Sequence, residues 1–539
     1  MSTSDTDVLI VGCGLTGSSA AVLLRRFGVR TTALERRVNT YPWPRTRMIL
    51  GRSMEIYRTA GLEQQIRARA SLFAEYPEMA RARTVAGQEF MRGETEGMDE
   101  ANAYSPAPWQ PIDQHRLEPL LREQAVACGA RLEYGAKVVE VEQDDAAVTA
   151  WVEDAGTGAV REIRARYLVA TDGAEGAVRR QLGIAMRGPG VVGHYVNIVF
   201  RADITGPLRD RPVGLWFLDE PRPGSVIMPQ AARHQWILMV PHDPATGETL
   251  TDFDDATCTN LVRAAVGLPG LDVTIVPMSD EGSDPVARMW EVGACVAERF
   301  QQGRIFLVGD SAHLMPPVGA FGANLGIQDA HNLAWKLAAV VNGQAGPELL
   351  ESYERERLPV AEVTVDAATT HLNVRSVAGG EGNTTGGNLA VIFGYRYRST
   401  AVLDEGDLPD VLLEPADLRG QPGTRAPHLS LLRDGVEIST IDLYADRFVL
   451  VAGSRGERWV DAAAKAAKDL DLPVAVHRIG ADLDDPSGGW SALHGVGTDG
   501  AVLVRPDGFV AWRARHLPGG EEAVLTDVLS RVLGRAARP

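Results

Sequence analysis

Apolar positions along this chain follow two rhythms, and the rhythm changes twice. Short, largely apolar runs stand out: Val8 to Val11, Thr31 to Leu34 and Ile305 to Val308 each stop at a glycine or an acid, and Tyr167 to Ala170 leads into Asp172-Gly173. Such runs predict strands buried on both faces, as in a parallel sheet. Between them apolar residues recur at three- and four-residue steps. Ser18 to Phe27 predicts one helix, closed by Gly28 where a helix C-terminal glycine belongs, and Gln114 to Ala130 another, with Leu117, Leu120, Leu121, Ala125 and Val126 on one face. A further helix is predicted from Gln328 to Val341. Strands alternating with helices describe an α/β fold.

From Gly188 to Met289 the pattern shortens to alternating runs: HYVNIVFRAD, PVGLWFLDE, GSVIMPQ, HQWILMVPHD and DVTIVPMS. These predict an antiparallel sheet with one polar and one buried face. A third regime follows Tyr395. A stretch rich in Pro, Gly and Asp runs to Pro427, and then come RFVLVAG, the helical run VDAAAKAAKDLD and GAVLVRPDGFVAWRA, a strand–helix–strand order.

With 539 residues the chain exceeds a single compact core. A net charge of −17 argues against nucleic acid or an anionic membrane surface as partner. No apolar run approaches the ~18 residues of a membrane span. Cys13, Cys128, Cys258 and Cys295 are scattered, with no CxxC or metal-like spacing, and the N-terminus is acidic. These features suit a reduced, cytoplasmic protein without structural disulfides or a metal centre.

The chemistry begins at GCGLTG. Gly12, Gly14 and Gly17 form G-x-G-x-x-G between a strand and a helix, and the next strand ends at Glu35. The first glycine permits a tight turn, the second lets backbone approach a pyrophosphate, and the third lets helix and strand pack closely. A terminal acid suits an unphosphorylated ribose. The unit binds a dinucleotide; NAD and FAD both remain open on the fingerprint alone.

GCGLTG, TDGAEGAVR, GRIFLVGDSAHLMPPVGAFGANLGIQDAHNLAWKLA and ESYERERLPVA together resemble the class A flavoprotein monooxygenases, the group of para-hydroxybenzoate and phenol hydroxylase. The similarity is closest to the aromatic polyketide hydroxylase subgroup and covers nearly the whole chain. It implies an α/β, Rossmann-like FAD-binding domain in two parts (1–187 and 290–394), an inserted antiparallel-sheet substrate domain (188–289) and a thioredoxin-like C-terminal domain without CxxC (395–539).

It also implies one FAD, NADPH or NADH as transient co-substrate, and O2. In the resemblance Gly12, Gly14, Leu15, Thr16 and Gly17 cradle the pyrophosphate, and Glu35 and Arg36 hold the adenosine. Arg45 and Gln114 reach phosphate and ribityl groups, and Asp310 bonds the ribityl chain. Pro317, Gly319, Gly322, Asn324 and Leu325 run along the flavin ring. Asp172 belongs to a motif tied to FAD and NADPH, or it braces its own loop. Tyr195, Trp216, Trp236 and Pro316 would line the substrate pocket, the aromatic three being otherwise core residues of the sheet. His313 reads as a partner of local backbone and not as a base, so no catalytic side chain is assigned. The family departures are Ala320-Phe321, where Gly-Gln is frequent, and Gly176, where Ser is.

The implied activity is hydroxylation of a polycyclic aromatic polyketide or related phenol by way of a flavin C4a-hydroperoxide. A Baeyer–Villiger or ring-rearranging flavoenzyme is the alternative within the class, and a non-catalytic flavin sensor the alternative outside it. Either a monomer or a homodimer is compatible with the sequence.

Overall fold

The computed structural model describes residues 5–38, 45–94, 98–230, 232–277, 287–376, 385–403, 405–406 and 410–535. The chain opens with β1 (Thr6–Val11), α1 (Leu15–Arg26) and β2 (Thr31–Glu35). Every residue of β1 is buried, because β1 lies inside the sheet with β2 on one side and a later strand on the other. The chain then leaves this sheet for β3 (Glu78–Ala82) and β4 (Glu89–Glu94). It returns as α2 (Gln114–Ala127), β5 (Arg131–Tyr134) and β6 (Val160–Ala170). β1 pairs in parallel with both β2 and β6, and β5 extends the sheet beyond β2.

A second, nine-stranded sheet roofs the first. Its main strands are β7 (Met186–Arg201), β8 (Val213–Leu218), β9 (Ser225–Pro229), β10 (Gln235–Pro241) and β11 (Ala287–Ala297). The stretch from Gly188 to Met289 is too narrow a frame for it. β3 and β4 join its far edge, β11 runs beyond Met289, and β8 pairs with β3 in parallel. Alternation along the strands sends Val196, Ile198 and Phe200, Val213, Trp216 and Leu218, Ile227, and Trp236, Leu238 and Val240 into one core. Cys258, Val262, Ala265 and Val266 of α3 (Asp255–Val266) close that core. The Asp254 carboxylate accepts the Thr257 N–H at the start of α3, and Gly267, at φ 83°, ends it.

The chain re-enters the first sheet at β12 (Ile305–Leu307), parallel to β6. Then come α4 (Phe321–Val341) and α5 (Glu351–Ser376). α4 starts seven residues before the Gln328 that periodicity predicts. Its second turn presses on a neighbour at Gly326, where a Cβ would lie 2.6 Å from Thr16 Oγ1 on α1. Close helix packing, and not loop formation, explains that glycine.

The tail forms a four-stranded sheet from β13 (Phe448–Ala452), β14 (Val474–Arg478), β15 (Ala501–Val504) and β16 (Val510–Ala514), ordered β14-β13-β15-β16. α6 (Glu457–Leu470) connects the parallel pair β13 and β14. The strand–helix–strand reading overlooked β14, whose residues are all half-buried, and GAVLVRPDGFVAWRA folds as an antiparallel hairpin instead of one strand. Among the described residues no helix is long and apolar enough to cross a membrane, and no cluster of His, Cys, Asp and Glu could hold a metal.

Candidate functional site

Two chain crossings build one cleft. At the first, β1 runs into Gly12, at φ 96°, where a Cβ would lie 2.4 Å from the Thr171 carbonyl oxygen. At Gly17 a Cβ would lie 2.0 Å from the Gly12 carbonyl oxygen. Only hydrogen fits at either place. Gly14 offers α1 no side-chain cap, and the Glu118 carboxylate lies against this end, beside the Leu15 N–H. Glu35 closes the cradle: its carboxylate accepts the Cys13 N–H at 2.9 Å and the Arg37 N–H at 3.0 Å, leaving further lone pairs on both oxygens. Arg36 pairs with Glu175 at 2.8 Å across the rim.

At the second crossing β12 ends in the turn Gly309–Ser311, which carries Asp310. Leu15 of α1 is buried; Thr16 beside it is the contact that joins the crossings, because Cβ atoms at Gly309 and Gly326 would each strike it, at 2.9 and 2.6 Å from Oγ1. The Asp310 carboxylate is solvent-accessible, yet protein surrounds it on all sides, so it stands deep in a cleft and not on the outer surface. It takes no hydrogen bond from the described residues. Burial pushes its carboxyl above the ordinary range, and the nearby His313 and Arg45 pull the other way.

The loop beyond Asp310 ends at α4. Pro316 is buried and Pro317 exposed, Gly319 has φ 80°, and Ala320 begins α4 at φ 58° with no side-chain cap. Gly322 and Leu325 lie in the first turns of α4. Asn324 is committed to protein: its Oδ1 accepts the Leu50 N–H at 2.9 Å, and its Nδ2 donates to Met48 O and Ala320 O. Only its backbone is left to face a ligand. Gln114 spans Thr46 N and Glu118 Oε1. Asp172 braces its own loop, accepting the Val178 N–H at 2.9 Å, while its Oδ1 stays buried and unpaired.

The roof presents its second face here. Trp290, Val292, Ala294 and Val296 share one side of β11, and Ala294 and Val296 pack into the core of the first sheet. That side therefore faces the dinucleotide unit. Tyr195 belongs to it, stacked on Trp290 with centroids 5.6 Å apart, and Trp290 Nε1 donates to Asn197 Oδ1 at 2.8 Å. Half-buried Met228 and Met239 continue the face. Trp216 and Trp236 do not reach it. They are 0% and 3% exposed in the core under α3, on the opposite side of the sheet from Tyr195.

Residues 5–368 match the family model described as FAD binding domain, and residues 419–536 match that described as aromatic-ring hydroxylase, C-terminal. The chain belongs to the FAD-dependent aromatic-ring hydroxylases. This hydroxylase is 39% identical to the tetracenomycin A2 monooxygenase-dioxygenase of Streptomyces glaucescens, covering 100% of this chain and 98% of that one. To the aklavinone 12-hydroxylase of Streptomyces purpurascens it is 36% identical, over 99% and 100%. The crystal structure of aklavinone-11 hydroxylase in ternary complex with FAD and aklavinone superimposes with a TM-score of 0.93 at 35% identity, covering 99% and 100%.

The hydroxylase's own geometry fits FAD. A helix start behind side-chain-free glycines suits a pyrophosphate, and the Asp310 carboxylate, which takes no hydrogen bond from the described residues, suits the hydroxyls of a polyol. Several supporting residues escaped the sequence reading. Arg122 donates twice to Cys13 O, fixing the glycine loop from α2. Asp329 of α4 accepts the Gly309 N–H at 3.1 Å, His313 Nε2 at 2.7 Å and Arg357 Nε at 2.6 Å. His313 thus bonds a carboxylate and not the local backbone. Both Asp329 and Arg357 lie in segments that carried the family resemblance, but nothing in their spacing announces the pair.

Proposed function

We propose that this hydroxylase inserts one atom of O2 into a polycyclic aromatic polyketide or related phenol, with NADPH as reductant. In this reading Gly12, Gly14, Leu15, Thr16 and Gly17 hold the FAD pyrophosphate, Glu35 and Arg36 the adenosine, and Arg45, Gln114 and Asp310 the chain between phosphate and ring. Backbone of Pro317, Gly319, Gly322, Asn324 and Leu325 borders the ring. Bound flavin would pass electrons from NADPH to O2 and supply an electrophilic oxygen; a phenol supplies the electrons that meet it. The protein's part is placement and the exclusion of water. Asp172, tied to its own loop, serves the nicotinamide step only by shaping that loop.

The observation that carries the substrate class is the apolar face toward the cleft. Tyr195 stacked on Trp290, with Met228 and Met239 beside them, offers flat and deformable apolar surface. Burial pushes the Tyr195 hydroxyl above its usual range, so it stays a neutral hydrogen-bonding group at working pH. The tail is read as thioredoxin-like from its parallel pair linked by α6 and its antiparallel hairpin. With no cysteine after Cys295 it performs no thiol exchange.

Reaction under 18O2 with a panel of polycyclic phenols tests the assignment. Substrate-stimulated NADPH oxidation with one labelled oxygen in the product is expected. Oxidation unaffected by any phenol in the panel, with no label in organic material, would overturn it.

A further inference from the structure

The C-terminal domain meets α4 through a fully buried network of ion pairs and hydrogen bonds. Asp507 sits in the turn between β15 and β16. Its carboxylate accepts Trp335 Nε1 of α4 at 3.1 Å and Arg505 Nε at 3.0 Å, and its backbone carbonyl accepts Arg52 Nη2 at 2.7 Å. Arg505 in turn donates to both oxygens of Glu356 on α5, at 2.6 and 2.9 Å. Glu356 also accepts Lys336 Nζ at 2.7 Å and Asn332 Nδ2 at 2.6 Å, both from α4. The guanidinium of Arg505 lies 5.1 Å from the Trp335 ring centroid. Arg505, Lys336 and Glu356 have side chains 0% exposed, and that of Asp507 is 1% exposed.

An apolar plug would join two domains at lower desolvation cost than these four charges. What ions add is direction: each bond fixes α4 along its axis and about it. α4 is rigid, and about 12 Å of helix separates Asn332 from Asn324 in its first turns. A shift at Trp335 is therefore passed on to the backbone of Gly322, Asn324 and Leu325.

We infer that Asp507 and Arg505 of the C-terminal domain are positioning residues for the FAD site, acting through α4, so that this domain is part of the cofactor-binding apparatus. The inference rests on the placement of FAD proposed above.

The test compares Asp507→Ala with Val449→Ala, a cavity in the tail's own core on β13, where Val449 is 0% exposed and packs away from α4. FAD Kd is read by flavin fluorescence during titration of the apoenzyme, and the midpoint potential of bound flavin with a reference dye, alongside Tm. D507A is expected to weaken FAD about tenfold, the scale of one lost charge-assisted hydrogen bond. It is also expected to make the potential more negative. V449A should lower Tm and leave both unchanged. D507N, which keeps an acceptor for Trp335, should recover most of the affinity. Trp335→Phe removes one N–H and no charge, and should weaken FAD about threefold even if D507A does not fold. If D507A and V449A bind FAD alike, or if W335F binds as the parent does, the inference is overturned. A parent protein that fails to bind FAD would instead overturn the placement of the cofactor.

Discussion

A methyl group added at Gly17 would lie 2.0 Å from a backbone oxygen that cannot move without breaking the β1 turn. Gly17→Ala is therefore expected to purify with little flavin, read as the ratio of 450 to 280 nm absorbance, with FAD affinity down roughly thirtyfold or more. Asp310→Ala should weaken FAD about tenfold without lowering Tm, because that carboxylate takes no hydrogen bond from the described protein. On the roof two tryptophan substitutions should part company. Trp236→Phe, under α3, is expected to cost about 1–2 kcal/mol of stability and leave KM for the aromatic substrate within about twofold. Trp290→Ala, in the cleft face, should raise KM about tenfold in steady-state assays. The cradle glycines were legible because close backbone approach dictates glycine at those spacings, and Asp310 drew notice because it stands at a strand end and matches the family motif. The tryptophans were not, since alternation gives two faces but does not say which one α3 will cover.

At the level of elements, α4 and α5 are joined by Asp329 and Arg357, both with side chains 0% exposed. Burial alone would raise the Asp329 carboxyl; Arg357 and His313 overcome it and hold it below the ordinary range. Arg357 also donates to Tyr397 Oη and Leu325 O, so one guanidinium ties α5 to α4 and to the tail's connector. Arg357→Met would strand a buried carboxylate, and a loss of about 3–5 kcal/mol in urea denaturation is expected. Arg357→Lys should recover less than half, because a single ammonium cannot span three acceptors. Sequence periodicity placed β1, α1, β2, α2, β12 and α6 within three residues, began β6 seven residues late and passed over α3. It also failed at the start of α4, where Gly326, pressed against Thr16, looks like a loop glycine, and at β14, which is too evenly half-buried to show a pattern.

Across the whole molecule, buried charge makes stability depend on pH. Burial pushes His331 down to about 3 and His494 to about 4. Arg52, Arg505, Arg357 and Asp507 face His331, and Arg513 and Asp485 face His494. An unfolded imidazole titrates near 6.5, above both folded values, so the unfolded chain binds the extra protons and stability falls as pH drops below ~6.5. Each histidine contributes about 1.4 kcal/mol per pH unit there. Urea midpoints between pH 7 and pH 5 should show the decline, and His494→Gln should make it shallower. Glu356 adds a second, more acidic step. Burial would raise it, but Arg505 and Lys336 hold it well below the ordinary range, so its contribution is present above about pH 4.5 and lost below. The roof carries a lesson for anyone exchanging parts between such enzymes. β8 pairs in parallel with β3, whose sequence lies more than a hundred residues upstream. A graft of residues 188–289 would leave two strands of the recipient's edge in place and sever β11 near its start. Substrate range should transfer between relatives only when residues 78–94 and 186–297 move together as one inherited unit.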